Sequence, residues 1–209
     1  MNRLGIILAG GQSQRMGQNK ALLQIGGRTV IGTIIEAMSP VCGQMVVSSM
    51  HPELYEFTGL PVIPDRYEGA GPLAGIHAAL NYSGQEWNLV CSCDHPFASR
   101  TLFEGLIDLA EQADESVEAV IPVYEGRIQP LVAVYRRRSY AQLDYGLEQG
   151  ERRVLDWINR LNVKQIEIGD WPDSEGREAG LALFNMNRPE DYTEALRLAS
   201  KLEHKARPQ

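Results

Sequence analysis

Short apolar runs alternate with stretches of helical spacing along most of this chain. Ile6-Ile7-Leu8 stops at Ala9-Gly10-Gly11, and a polar interval follows before the apolar pattern resumes at Leu22-Leu23. Val30, Ile31, Ile34, Ile35, Ala37 and Met38 recur at helical spacing, and Pro40 and Gly43 end that helix. Met45–Ser48 and Leu60–Ile63 read as buried strands. A helix through Ile76, Ala79 and Leu80 follows the glycine-rich stretch Gly69–Gly75. Trp87–Cys93 is a fourth strand, and Leu102–Gln112 an amphipathic helix. Ala119–Val123 and Ile128–Tyr135 flank Glu125-Gly126 as a predicted hairpin. Tyr140–Glu148 is helical, another helix begins at Gly150, and Val163–Ile168 alternates as a half-exposed strand. Trp171–Gly176 reads as a polar, mobile loop, and Pro189 opens the last helix, whose charged tail frays after Leu202. Strand and helix in alternation predict an α/β fold with a mostly parallel sheet between helices.

The first polar interval carries the chemistry. A strand that runs into glycine exposes backbone N–H groups with no side chain over them. With Arg15 and Lys20 close by, those N–H groups suit a row of phosphates. A plain tight turn with solvated cations stays open at this point. The spacing is neither GxxxxGK[ST] nor GxGxxG, so this is not a P-loop or a dinucleotide fingerprint. Gly71-Pro72-Leu73 opens a helix, where free N–H groups and the dipole favour an anion, although close packing of small residues would read the same way. Asp94 leaves the fourth strand ahead of Pro96. A carboxylate there fits a magnesium ion that also binds phosphate oxygens, with helix capping as the bland alternative. Cys91 and Cys93 alternate on one strand face and read as core or pocket lining, not as a zinc site with His95. His51, His77 and His204 are isolated and take no role.

The totals narrow the class. At 209 residues the chain suits one domain. A net charge of -7 argues against a nucleic-acid binder with a broad basic face. No run is long and apolar enough to span a membrane, and three cysteines make no disulfide framework, so a cytoplasmic protein is expected.

LAGGQSQRMGQNKALL resembles the signature loop of the molybdenum cofactor guanylyltransferases, part of the wider nucleotidyltransferase group. The resemblance continues through GPLAG, CDHP, GERRV and NMNRPED in the expected order. It implies a three-layer Rossmann-like nucleotidyltransferase fold as one domain over 1–209, with a nucleotide-binding half at about 1–98 and an acceptor-binding half at about 99–200. It puts the nucleotide on Leu8, Ala9, Gly10, Gly11, Lys20, Ser48, Asp65, Gly71, Pro72, Leu73 and Asp94. Ser48 stands where an Asn is commoner. Arg15, Lys20 and Asp94 would be catalytic, with Asp94 the ligand of Mg2+. Gln129, Pro130, Arg152, Arg153, Asn185 and Asn187 would face the acceptor. Which of the two arginines points inward is not set by the sequence, and Arg188 replaces the usual capping Thr.

The implied reaction moves GMP from Mg-GTP to the terminal phosphate of molybdopterin or its molybdenum form and releases pyrophosphate. Molybdoenzyme-maturation proteins are a further implied partner class. The competing readings are a cytidylyltransferase acting on molybdopterin, a sugar-phosphate nucleotidyltransferase, and a non-catalytic GTP-binding adapter for molybdoenzyme maturation.

Overall fold

Ile6 and Leu8 turn to one side of the first strand and Ile7 to the other, and all three are buried. A computed structural model describes residues 3–10, 19–67 and 69–206. The chain begins with β1 (Arg3–Leu8), a small antiparallel pair β2 (Gln24–Ile25) and β3 (Arg28–Thr29), and α1 (Val30–Met38). Next come β4 (Gln44–Ser48), β5 (Val62–Ile63), α2 (Pro72–Tyr82), β6 (Trp87–Ser92) and α3 (Arg100–Glu111). The second half holds β7 (Ala119–Tyr124), β8 (Arg127–Ile128), β9 (Val132–Arg136), α4 (Tyr140–Glu148) and α5 (Val154–Ile158). It closes with β10 (Val163–Glu167), α6 (Asp173–Ala182) and α7 (Pro189–Ala206).

The main sheet runs β10-β7-β9-β6-β1-β4-β5, with β8 paired to β7. Along that path only β9 is antiparallel to its neighbours. One face is covered by α1, α3, α6 and α7, the other by α2, α4 and α5, giving three layers. Side chains alternate between the two cores as strand geometry requires: Leu89 and Cys91 face the first, Val90 the second. Side-chain caps set two helix starts. Thr29 accepts from Gly32 N at α1, and Ser99 accepts from Leu102 N at α3.

The chain runs outward from β1 to β4 and β5, then returns through α2 to β6 on the other side of β1. The connections therefore diverge between β1 and β6. In an open α/β sheet the crevice at the carboxyl ends of two such strands is where ligands bind.

Four expectations need correction. The second hairpin arm is two strands, because Pro130 has no N–H to donate and Gln129–Leu131 leave the ladder between β8 and β9. The hairpin turn itself holds: Glu125 and Gly126 have φ of 50° and 69°, as a tight two-residue connection needs. The helix expected from Gly150 starts at Val154, since Gly150 has φ of 84° and Arg153 is its N-cap. The stretch Trp171–Gly176 is not a loop but leads into α6. Gly176 N bonds Pro172 O at 2.7 Å, and α6 buries the small Ala179, Gly180 and Ala182, a stripe too weakly apolar to see in the sequence. Trp171 lies against Gly105 of α3, where a Cβ would sit 2.4 Å from its Cη2. The charged tail stays helical to Ala206.

Candidate active site

Leu8 of β1 is in register with Ser92 of β6, and Cys93 N donates to Leu8 O at 3.1 Å. Gly10 and Asp94, each two residues beyond that pair, therefore leave the sheet at the same rim. Ala9 N donates to Ser48 O at 3.1 Å, which ties the turn to β4 as well. Asp94 is fixed through its backbone: its N–H donates to Ser92 Oγ at 3.2 Å, and its carbonyl accepts from Met186 N at 2.8 Å. The second bond docks the segment between α6 and α7 onto the end of β6.

That docking assembles a polar group from three distant parts of the chain. Lys20 Nζ lies 2.7 Å from Asp94 Oδ1 and 3.2 Å from Asn187 Oδ1. The Lys20 and Asp94 side chains are 13% and 28% exposed, so the pair is partly shielded yet open to a ligand. Asn185 is exposed on the same segment. Asp191 Oδ2 accepts from Asn187 N and Arg188 N at 2.7 and 2.8 Å. A carboxylate in the first turn of α7 thus caps the helix from within, and Arg188 need not act as a cap itself.

A second group lies beside Gly10. Ser48 Oγ donates to Asp65 Oδ1 at 2.9 Å, and a Cβ on Gly10 would sit 3.8 Å from Asp65 Oδ2. Ser48 is buried, so its hydroxyl faces the site through Asp65. Burial pushes the Asp65 carboxyl above the usual range, and the Ser48 hydrogen bond opposes that rise. Gly75 of α2 leaves room for this pair: a Cβ would stand 2.7 Å from Ser48 Oγ and 3.1 Å from Leu8 Cδ2. Gly71, with φ of 55°, turns the chain into α2 at Pro72, and Leu73 is buried behind it.

The remaining predicted residues are spread more widely. Gln129 and Pro130 lie at the rim next to β6, where Ser92 N donates to Leu131 O at 2.9 Å. Gln129 Nε2 donates to Arg127 O at 3.3 Å, and Pro130 O accepts from Tyr135 Oη at 2.7 Å. Arg152 and Arg153 are exposed between α4 and α5. The Arg152 guanidinium donates to Leu147 O at 3.3 Å and Glu151 O at 2.7 Å, serving the carbonyl end of α4. None of the hydrogen bonds among the described residues joins either arginine to the Lys20–Asp94 group. Gly11 and Arg15 lie outside the described residues.

Cys91 and Cys93 sit in the core, and burial pushes both thiols up. Burial also pushes the His95 imidazole down to about 4, which leaves it neutral at pH 7. Among the described residues no group of three His, Cys, Asp or Glu could hold a metal ion, and no helix is long and apolar enough to cross a membrane. A lone carboxylate with an amide oxygen nearby matches magnesium, which draws its other ligands from phosphate and water; it does not match a caged resident ion.

Two further residues bear on this site beyond those expected from the sequence. Asn19 caps the turn that carries Lys20, and Tyr55 Oη is bonded to Asn19 and to Ala9. An Asn directly before Lys20 is a recognisable capping signal. Tyr55 lies in a short connection with no motif around it.

Comparison with known proteins gives the family and the fold. Residues 5–164 match the MobA-like NTP transferase domain. A probable molybdenum cofactor guanylyltransferase of Carboxydothermus hydrogenoformans is 35% identical over 194 residues, covering 93% of this chain and 95% of its own. One from Bacillus cereus is 36% identical over 198 residues, covering 91% and 94%. The crystal structure of molybdopterin-guanine dinucleotide biosynthesis protein A from Archaeoglobus fulgidus superposes with a TM-score of 0.80 at 29% identity, over 95% of this chain and 99% of that one. A cytidylyltransferase from Thermus thermophilus, at 19% identity and a TM-score of 0.66 over 94% and 98%, shares the fold. With a family model spanning most of its length and relatives matched nearly end to end, the chain belongs to the MobA-like NTP transferases.

Proposed function

We propose that this protein is a molybdenum cofactor guanylyltransferase, which transfers GMP from Mg-GTP to the terminal phosphate of molybdopterin or its molybdenum form. The observation that carries the reading is the meeting of Lys20, Asp94 and Asn187 beside the Gly10 turn, in a chain similar throughout to probable guanylyltransferases. The cytoplasm is the compartment this reading calls for.

An oxygen of the acceptor phosphate attacks the α-phosphorus of GTP. That P–O bond forms as the bond to the bridging oxygen breaks, and pyrophosphate leaves with the electron pair. The attacking phosphate is already anionic, so no side chain need remove a proton. The protein's task is alignment and neutralisation of charge. Main-chain groups of Leu8, Ala9 and Gly10 hold the nucleotide, as does the start of α2 at Gly71, Pro72 and Leu73. Lys20 neutralises the departing pyrophosphate, together with Arg15. Asp94, with Asn187 beside it, would hold Mg2+, which when bound shields charge on the α-phosphate and pyrophosphate. Asp65 supplies a carboxylate for the N–H groups of guanine or for the ribose. Asn185, Gln129, Pro130 and one of Arg152 and Arg153 belong to the acceptor side.

The test is pyrophosphate release with each of the four nucleoside triphosphates, magnesium and molybdopterin. Release with GTP that requires molybdopterin supports the reading. Preference for CTP, or turnover with a sugar phosphate instead, overturns it, and magnesium-independent GTP binding without turnover would favour an adapter.

A further inference from the structure

Tyr55 is 1% exposed and sits between two single turns of 3-10 helix, Pro52–Leu54 and Glu56–Thr58. Its hydroxyl oxygen lies 2.9 Å from Ala9 O and 2.9 Å from Asn19 Nδ2. Asn19 Oδ1 accepts from Ala21 N at 3.0 Å and so caps the turn Lys20–Leu22. That capping bond fixes the amide orientation, with Oδ1 toward Ala21 and Nδ2 toward the phenol. Tyr55 must then accept from Asn19, and its own proton is directed to Ala9 O. Burial raises the phenol, which keeps that proton at neutral pH.

The two partners lie on either side of the glycine loop. Ala9 precedes Gly10, and Asn19 precedes Lys20. One buried hydroxyl therefore sets the distance between the main chain at the end of β1 and the turn that aims the Lys20 ammonium at Asp94. We infer that Tyr55 and Asn19 are positioning residues: their relay holds Lys20 in place for the triphosphate. This rests on the nucleotidyltransferase reading of the site. Neither residue need touch the nucleotide.

Tyr55→Phe keeps the ring and removes the relay. Asn19→Asp keeps the cap and removes the donor to Tyr55. In nucleotide-free protein, each variant should raise hydrogen exchange at the Lys20–Leu22 amides by about tenfold or more, as expected when a local opening loses its restraint. Kd for GTP should weaken by about tenfold while that for GMP moves by less than about twofold, because Lys20 acts on the outer phosphates. In a Lys20→Ala background, Tyr55→Phe should add less than about twofold, the mark of two residues acting as one unit. Unchanged exchange overturns the relay. Equal losses for GTP and GMP, or full additivity with Lys20→Ala, reduce Tyr55 to a packing residue and overturn the positioning role. A wild-type protein that binds no nucleoside triphosphate overturns the functional reading and the purpose of the relay with it, while the exchange data still decide whether the relay holds the Lys20 turn.

Discussion

The Lys20 ammonium lies 2.7 Å from Asp94 Oδ1, at the rim where β1 and β6 end. In the free protein, then, the carboxylate assigned to the metal is already neutralised by the cation assigned to the phosphates. In the proposed reaction both would exchange partners, Lys20 for phosphate and Asp94 for the metal. Free metal without nucleotide would instead have to displace the ammonium from Asp94, with no phosphate there to receive it. Lys20→Met should therefore tighten binding of Mn2+ to the nucleotide-free protein by at least about tenfold, read by electron paramagnetic resonance; an ammonium and a divalent ion sharing one carboxylate repel strongly enough to supply that factor. Unchanged affinity would mean the pair does not guard the carboxylate.

Removing either charge should also slow the reaction without unfolding the protein. Lys20→Ala should cost about 2 to 4 kcal/mol in kcat/KM, the scale for one charge-stabilising donor. Asp94→Asn keeps the shape and should reduce transfer by at least about a thousandfold at saturating magnesium, near the upper end of single-group effects. Thermal melts should move little, since both side chains are partly exposed. Turnover retained in Asp94→Asn would remove this residue from the mechanism.

Asp65 gives the site a predicted acid limb. Burial raises its pKa and the Ser48 hydroxyl lowers it, burial being the larger effect. The ionised carboxylate is the form that accepts N–H groups. GTP affinity should then fall as pH drops through a value above the ordinary carboxylate range. Ser48→Ala removes the opposing hydrogen bond, so the limb should move to higher pH, and Asp65→Asn should abolish it. Calorimetric titration across pH reads all three; an identical profile in Ser48→Ala would detach Asp65 from nucleotide binding.

Gly75→Ala tests how tightly α2 is seated. The added methyl would come within 2.7 Å of Ser48 Oγ, a buried hydroxyl that must turn away from Asp65 to make room. Overpacking of this kind costs about 1–3 kcal/mol, measurable by urea unfolding. GTP binding should weaken too, because relief of the clash breaks the Ser48–Asp65 bond.

Much of this arrangement can be read from local pattern. The runs Ile6–Leu8, Met45–Ser48 and Trp87–Ser92 are apolar on both faces, as central parallel strands must be, and their carboxyl ends carry the glycine turn, Ser48 and Asp94. Two kinds of feature stay hidden. Weakly apolar α6 hides because two alanines and a glycine carry its burial and Trp171 finds its partner in Gly105 of another helix. Partnerships across the fold hide for a different reason. Asn187 meets Lys20 only because Met186 N bonds Asp94 O, and Tyr55 meets Ala9 and Asn19 across 46 and 36 positions of chain. Periodicity carries no record of such contacts. The acid cap of Asp191 is intermediate: its position is visible, but its bond to Arg188 N needs the backbone.

The most direct test follows the α-phosphorus. Wild-type protein is incubated with GTP labelled at that atom, magnesium and molybdopterin, and the products are separated. The account predicts that the label moves into a pterin dinucleotide in step with pyrophosphate release, and that Asp94→Asn leaves it in GTP. Label remaining in guanosine nucleotides with the wild type, or transfer undiminished in the variant, would contradict it.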